Sequence, residues 1–249
     1  ITCRDWSSDV CSSDLVFVQT MFPPIVSSFL YIAVFGVMIG GQIHEVAGTS
    51  YVRFLIPGLI MMYLIESAYS NTSSSLFIAR WSGHIQEILV SPLSYVEMVL
   101  ALLIGGLVRS FVTAFGVYLV SLIFVPTPIH HPVVVITIAA LVSLTFSSVG
   151  AIVALVAEEF EHLSICTTFV ITPLVFFGGV FHSLEMVPPV IQVITRCNPI
   201  FYMINGIRYG MIGTSDISLA VSFAVVFFLF VLLFSFTVYL FKSGFKLRK

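Results

Sequence analysis

Ser110–Ala157 reads SFVTAFGVYLVSLIFVPTPIHHPVVVITIAALVSLTFSSVGAIVALVA, and its 48 residues contain no Asp, Glu, Lys or Arg. A hydrocarbon layer about 30 Å thick is crossed by about 20 helical residues, each rising about 1.5 Å. The stretch is too long for one crossing and suits two. At its centre Pro126-Thr-Pro-Ile-His-His-Pro132 places three prolines in seven residues, which removes backbone donors and cannot continue a helix. Two apolar helices follow, one ending near Phe124 and one covering about 133–156.

Outward from that hairpin, the remaining charges cut the chain into pieces of similar size. Val16–His44 is charge-free and fits a first span near 20–40, entered through Pro23-Pro24. Phe54–Ile78 fits a second, interrupted only by Glu66, and Met98–Phe124 a third, interrupted only by Arg109. Beyond the fourth lie His162–Phe181, expected to kink at Pro173, and Ile217–Phe241. The expected fold class is an all-α membrane protein with six transmembrane helices. Composition agrees: of 249 residues, 59% are hydrophobic and 9% charged, with a mean hydropathy of +1.11, against about 25% charged in soluble domains. So few charges cannot cover a water-exposed surface, which excludes a soluble enzyme, a nucleic-acid binder and a disordered chain. A formal net charge of −2 supplies no basic field for nucleic acid. Four cysteines without a CxxC pair give neither a disulfide framework nor a zinc site.

Magnitudes separate the spans. Ile217–Phe241 holds eighteen Leu, Ile, Val or Phe residues; at about −0.3 to −0.6 kcal/mol each it inserts with roughly −5 to −11 kcal/mol. Phe54–Ile78 holds ten, or roughly −3 to −6 kcal/mol, of which a charged Glu66 at mid-depth offsets up to about 3. The second span is therefore expected to face other helices or water. Lys242, Lys246, Arg248 and Lys249 follow the last span, so the positive-inside rule puts the C-terminus in the cytoplasm. With six spans the N-terminus is cytoplasmic too, loops 79–97 and 157–162 are internal, and 41–53, 125–132 and 182–216 are external.

Ile1–Leu15, ITCRDWSSDVCSSDL, is set apart by its Ser/Asp-rich composition and carries four of the chain's charges. It lacks the basic start and apolar stretch of a secretory signal and resembles translated sequencing-adapter read-through. The expectation is a disordered leader of artefactual origin over 1–15, a native start that is missing, and a single membrane domain over 16–249.

Chemistry is excluded more firmly than it is assigned. All three lysines lie in the last eight residues, so a G-x-x-x-x-G-K-[ST] phosphate loop is impossible and this chain cannot hydrolyse ATP by that route. There is no G-x-S-x-G elbow and no H-E-x-x-H helix. Glu159-x-x-His162 has half the spacing of a carboxylate di-iron site without a second copy, and His130-His131 sits between prolines in a turn, so no metal is expected. Cys166 is read as a packed thiol and Cys197 as a loop thiol.

Three features remain. Arg80–Val90 places Trp81, Ile85 and Ile88 at i, i+4 and i+7, a candidate amphipathic helix stopped by Ser91-Pro92. It either lies on lipid head groups or docks a partner. The second span carries Glu66, Ser70, Ser73 and Ser74 along one helix face, extended by Asn71 and Thr72. Small hydroxyl residues serve helix packing; the alternative is a substrate path, with Arg109 as counter-charge to Glu66. The segment 182–216 is too interrupted for a span, and two short helices dipping into the outer leaflet against protein fit it better.

These residues carry a resemblance. Thr172-Pro-Leu-Val-Phe-Phe-Gly-Gly-Val-Phe-His-Ser-Leu184, then Asn198-Pro-Ile-Phe-Tyr202 and Gly206-Ile-Arg-Tyr-Gly210, resemble the C-terminal signature of type-2 ATP-binding-cassette (ABC) exporter permeases. Phe54-Leu-Ile-Pro-Gly-Leu-Ile-Met-Met62 and the 80–92 segment match in the same order, and the likeness, nearest to the bacterial YadH-like group, runs from about Val16 to Lys249. The resemblance implies a six-span subunit of the bacterial inner membrane that forms a homodimer and recruits a cytoplasmic ABC ATPase. It implies a coupling helix at Trp81, His84, Ile85, Gln86, Glu87 and Ile88, seated in the ATPase. It also implies external re-entrant helices between spans five and six bearing Asn198, Pro199, Tyr202 and Arg208. ATP and Mg then belong to the partner and no cofactor to this chain; substrates of the group are glycans, lipids and drugs. The family begins with a basic amphipathic interfacial helix, in whose place this chain has the Ile1–Leu15 leader. The competing expectation is a proton- or ion-coupled carrier using Glu66 and Arg109, disfavoured because such carriers need several buried acids. A membrane-embedded enzyme lacks paired catalytic groups at mid-depth.

Overall fold

The computed structural model describes residues 22–39, 45–46, 49–86 and 93–246. Helix α1 covers residues 22–33 and continues as a π-helical stretch, Val34–Ile39. A two-residue antiparallel pair, β1 (Glu45–Val46) with β2 (Thr49–Ser50), leads into α2 (Tyr51–Trp81). Then come α3 (Tyr95–Phe124), α4 (Pro132–Val156) and α5 (Phe160–Phe177). Two short helices, α6 (Pro189–Cys197) and α7 (Pro199–Ile212), precede α8 (Leu219–Ser243). Five of these, α2, α3, α4, α5 and α8, are long and apolar enough to cross a membrane, while α1 is shorter over its described residues.

Local chemistry sets the boundaries. Ser94 caps α3: its Oγ accepts from the Glu97 amide at 3.3 Å and its own amide donates to Glu97 Oε2 at 2.8 Å, a reciprocal capping box that starts the helix three residues before Met98. Pro132 opens α4 at a position where a missing amide costs nothing. Before Pro173, where a kink is expected, the helix has a π-helical turn at Thr167–Ile171, and Thr172 Oγ1 donates back to the Thr167 carbonyl at 2.9 Å.

The least apolar span is the innermost. In the most apolar 18-residue stretch of α2, 72% of residues are buried, against 11% in α8. α2 packs against α3, α4, α7 and α1, whereas α8 turns Phe227, Phe228, Leu232, Phe236 and Tyr239 outward. That ordering is the one the insertion energies require: α8 can face lipid alone, and α2 is covered by protein.

At one end of the bundle, Leu76, Phe77 and Ile85 pack with Val99, Leu155, Leu163 and Leu240; since α8 finishes here, we call it the tail end. The other, the cap end, gathers α6, α7 and the starts of α2 and α8. The expected helix at 80–90 is altered: α2 runs on through Arg80 to Trp81, Ser82–His84 turn with Gly83 at φ +82°, and helix resumes at Ile85-Gln86. Only glycine adopts that φ cheaply. Trp81 is 74% exposed and Ile85 3% exposed, so the two do not share one free face. Glu87 and Ile88 lie outside the described residues.

Candidate functional site

A polar cavity of about 290 Å³ opens between α1, α2 and α3. Pro23 and Pro24 close it from α1; Tyr63, Glu66, Ser67, Ser70, Asn71 and Ser74 line it from α2; Arg109 lines it from α3. Glu66 stands fifteen residues from either end of α2, and Arg109 is likewise near the middle of α3, so both charges sit at mid-length. Arg109 Nη1 donates to Asn71 Oδ1 at 2.7 Å, and Ser67 Oγ meets Thr113 Oγ1 at 3.0 Å. The expected Glu66–Arg109 pair does not form: the ion pairs among the described residues do not include it, and Asn71, five residues along, holds the guanidinium instead.

The hydroxyl stripe on α2 therefore divides. Ser70 and Ser74 belong to the cavity wall, and Ser74 Oγ donates to the Ser70 carbonyl at 2.7 Å. Ser73 turns away, buried against α4. There Gly150 lets the backbones touch: a Cβ at Gly150 would lie 2.7 Å from the Tyr69 carbonyl oxygen and 3.2 Å from the Ser73 amide nitrogen. Ser110 Oγ and Ser143 Oγ, 2.6 Å apart, join α3 to α4 in the same small-residue manner.

At the tail end, Arg80 reaches from α2 to the last carbonyls of α4 and the residue after it. Nη1 donates to Ala154 O at 2.7 Å and to Leu155 O at 2.6 Å, and Nη2 to Ala157 O at 2.6 Å. A guanidinium on the negative end of a helix is favourable in both charge and geometry. Lys246 completes the clamp from beyond α8, with Nζ 3.1 Å from Val156 O and 3.0 Å from Glu158 Oε1. Its ammonium holds the Glu158 carboxyl below the usual range. Beside the clamp, Phe77, Ile78, Trp81, Glu158, Glu159 and Phe160 line a groove of about 350 Å³. His84 Nδ1 lies 3.0 Å from Ser82 Oγ, and Gln86 is exposed.

At the cap end, Asn198 caps α7 through Oδ1, which accepts from the Ile200 amide at 3.0 Å, while Nδ2 donates to the Leu174 carbonyl of α5 at 2.5 Å. Pro199 takes the first helical position, and Tyr202 Oη donates to Arg196 O at 3.0 Å. Arg208 is 2% exposed: its guanidinium carbon lies 3.8 Å from the Phe54 ring centroid, Nη2 donates to Gly179 O at 2.9 Å, and Nη1 is 3.8 Å from Asp216 Oδ2. Burial lowers its pKa to about 10, with Asp216 opposing, so it remains a cation at neutral pH. These four residues join α2, α5, α6 and α7.

Two residues that the sequence pattern did not single out complete the picture. Arg80 stood there only as the first residue of the candidate helix over 80–90. Asn205, fully buried in α7, donates to Ile217 O at 2.9 Å and Ser222 Oγ at 3.0 Å and accepts from the Asp216 amide at 2.8 Å. An amide inside an apolar helix was the available signal; its partners, eleven to seventeen residues away, were not. Among the described residues no three His, Cys, Asp or Glu side chains meet as metal ligands.

The family model for ABC-2 type transporters matches residues 16–212. The chain belongs to the ABC-2 type transporter family. It is 38% identical over 221 residues to the inner membrane transport permease YadH of Escherichia coli K12, covering 89% of this chain and 86% of that protein. It is 23% identical over 210 residues to Nodulation protein J of Rhizobium meliloti strain 1021, covering 84% and 80%. This ABC-2 permease is thus a transport subunit, and the match takes in the cavity, Arg80 and helix α7 alike.

Proposed function

We infer that the chain is the transmembrane half of an ABC exporter, in which two copies carry a lipid-, glycan- or drug-like substrate outward and a separate cytoplasmic subunit binds ATP and Mg and hydrolyses the nucleotide. The tail end faces the cytoplasm with both termini, α1 supplies the sixth span, and α6 and α7 are re-entrant helices in the outer leaflet. The bacterial inner membrane fits both the apolar helices and the name of the Escherichia coli relative.

One observation carries this reading. α2 is a single 31-residue helix that has the polar cavity at its midpoint and is bolted to the end of α4 by Arg80. A push on Trp81 and the 82–90 segment therefore moves the cavity wall and two spans together. Having no phosphate loop of its own, the chain needs that push from elsewhere.

The test is co-purification with an ABC ATPase of the same host, then reconstitution in proteoliposomes. The intact pair is expected to show permease-stimulated ATP hydrolysis. Trp81→Asp, an exposed position, is expected to lower stimulation several-fold at unchanged melting temperature. Uphill export that continues with the ATPase inactivated would overturn the assignment.

A further inference from the structure

The polar cavity holds two opposite charges that are not bonded to each other. Glu66 lines it from the midpoint of α2 and makes no hydrogen bond or ion pair among the described residues. Arg109 is fixed at the level of Asn71, five residues further on, which separates the two levels by about 7.5 Å along the helix axis. The hydroxyls of Ser67 and Ser70 lie between them on the same wall. Tyr63, also lining the cavity, is 4% exposed, yet its hydroxyl has no hydrogen-bond partner among the described residues; Ser27 is near it without meeting hydrogen-bond geometry. A buried orphan hydroxyl beside an unpaired carboxylate is what an incoming donor satisfies.

Mid-depth carboxylates are kept where a cation meets them, and among the described residues no protein cation lies within bonding distance of Glu66. The missing partner is then a ligand cation. A primary ammonium suits the wall, because its three N–H groups can divide among Glu66, Tyr63 and a serine hydroxyl. A quaternary ammonium needs several aromatic faces, and Tyr63 is the one aromatic residue lining the cavity among the described residues. Arg109, a planar donor, is suited to a phosphate. The space of about 290 Å³ admits a small head group, and two of the helices that border it carry exposed apolar side chains, Val26 on α1 and Val112 on α3, that acyl chains can cover.

We propose that this cavity binds the head group of a zwitterionic amphiphile, with its primary ammonium on Glu66 and its phosphate on Arg109. The proposal deepens the export reading by naming the chemistry of the bound molecule, and binding itself needs no ATPase. The purified full-length chain is equilibrated in detergent with equal amounts of phosphatidylethanolamine, phosphatidylcholine and phosphatidylglycerol, and retained lipid is counted by native mass spectrometry. Phosphatidylethanolamine is expected to be retained preferentially, with about tenfold loss in Glu66→Gln, little loss in Glu66→Asp, and about threefold loss in Tyr63→Phe, which removes only the orphan hydroxyl. Displacement by millimolar O-phosphoethanolamine identifies the head group as sufficient, and resistance to it identifies the lipid; either supports the site. Equal retention of the three lipids, or unchanged preference in both Glu66→Gln and Tyr63→Phe, overturns it. No preference together with intact ATP-driven stimulation defeats this proposal and leaves the export reading standing; preference without ATPase coupling does the reverse.

Discussion

Replacing Arg80 with alanine tests whether α2 and α4 are mechanically one unit. The guanidinium makes three charged hydrogen bonds, of 2.6–2.7 Å, to the last carbonyls of α4 and the loop after it. Charged hydrogen bonds contribute about 1.5–3 kcal/mol each when buried, but the guanidinium is only part-buried, so water takes over part of its role when it is removed. About 1 kcal/mol per bond, with a few tenths more from the helix dipole, gives a loss of about 2–4 kcal/mol. For a chain of this size that lowers the melting temperature by about 4–16 °C. Arg80→Lys keeps the charge but not the fork that spans three acceptors, and should lose about half as much. Gln86→Ala, at an exposed neighbour, should stay within about 0.5 kcal/mol of the parent. The assay is thermal unfolding of the detergent-solubilised chain, followed by ATPase stimulation with the partner, which should fall further in Arg80→Ala than stability alone explains. An Arg80→Ala protein that melts within 1 °C of the parent would refute the clamp.

Gly150→Ala and Gly105→Ala should move stability in opposite directions. Alanine gains about 1 kcal/mol of helix propensity over glycine, but a Cβ at Gly150 meets backbone that no rotamer can move, whereas nothing lies within 4 Å at Gly105; a net loss at Gly150 of up to about 2 kcal/mol and a gain at Gly105 are readable in one melting series. Asn205→Leu strips partners from Ile217, Ser222 and Asp216 and should cost about 2–5 kcal/mol, with limited proteolysis opening the 213–218 connection first. His182, outside the spans, is held below the usual imidazole value by burial and then by Arg208. Its contribution is therefore present above about pH 6.5 and lost as pH falls through the lowered folded value; His182→Asn should flatten the fall in melting temperature between pH 7 and 5, and an unchanged slope would exclude His182 as its source.

The helices were legible where the pattern is local. Three prolines at 126–132 give the α3–α4 turn, the missing charges of 217–241 give α8, and the prolines at 188–189 and 199 divide the cap segment into two short helices. Boundaries shifted where a side chain overrode the charge count: Glu97 sits inside α3 because it closes a capping box, and Arg80 sits inside α2 because its partners are on α4. The Glu66–Arg109 pairing failed for a related reason. Both residues are near the middle of their helices, but Arg109 meets α2 at the level of Asn71, about 7.5 Å along the axis from Glu66, so axial stagger as well as rotation decides which groups meet. Arg208 shows the limit best. Its place in a recurring motif was visible, whereas its stack on Phe54 and its bond to Gly179 link positions 154 and 29 residues away.

That the least apolar span is also the most buried has a mechanical consequence. A helix facing lipid, such as α8, is free to tilt or slide at little cost, because one acyl neighbour replaces another. α2 has no such freedom: Phe54 under Arg208 holds its cap end, Gly150 presses α4 against its middle, and Arg80 grips α4 at the tail end. Its polar residues, costly in lipid, are tolerable only because of that enclosure, and the enclosure makes α2 rigid. A displacement applied at Trp81 cannot be absorbed as local bending without breaking one of these contacts, so it must appear at the cavity wall. Cutting the helix should separate the two ends: Ile78→Pro, an exposed position between Ser74, the last residue of the cavity wall on α2, and Trp81, is expected to leave stimulation of the partner ATPase near the parental level in whatever fraction folds, while abolishing ATP-dependent transport. Loss of both activities together in well-folded protein would mean that the force travels by another helix.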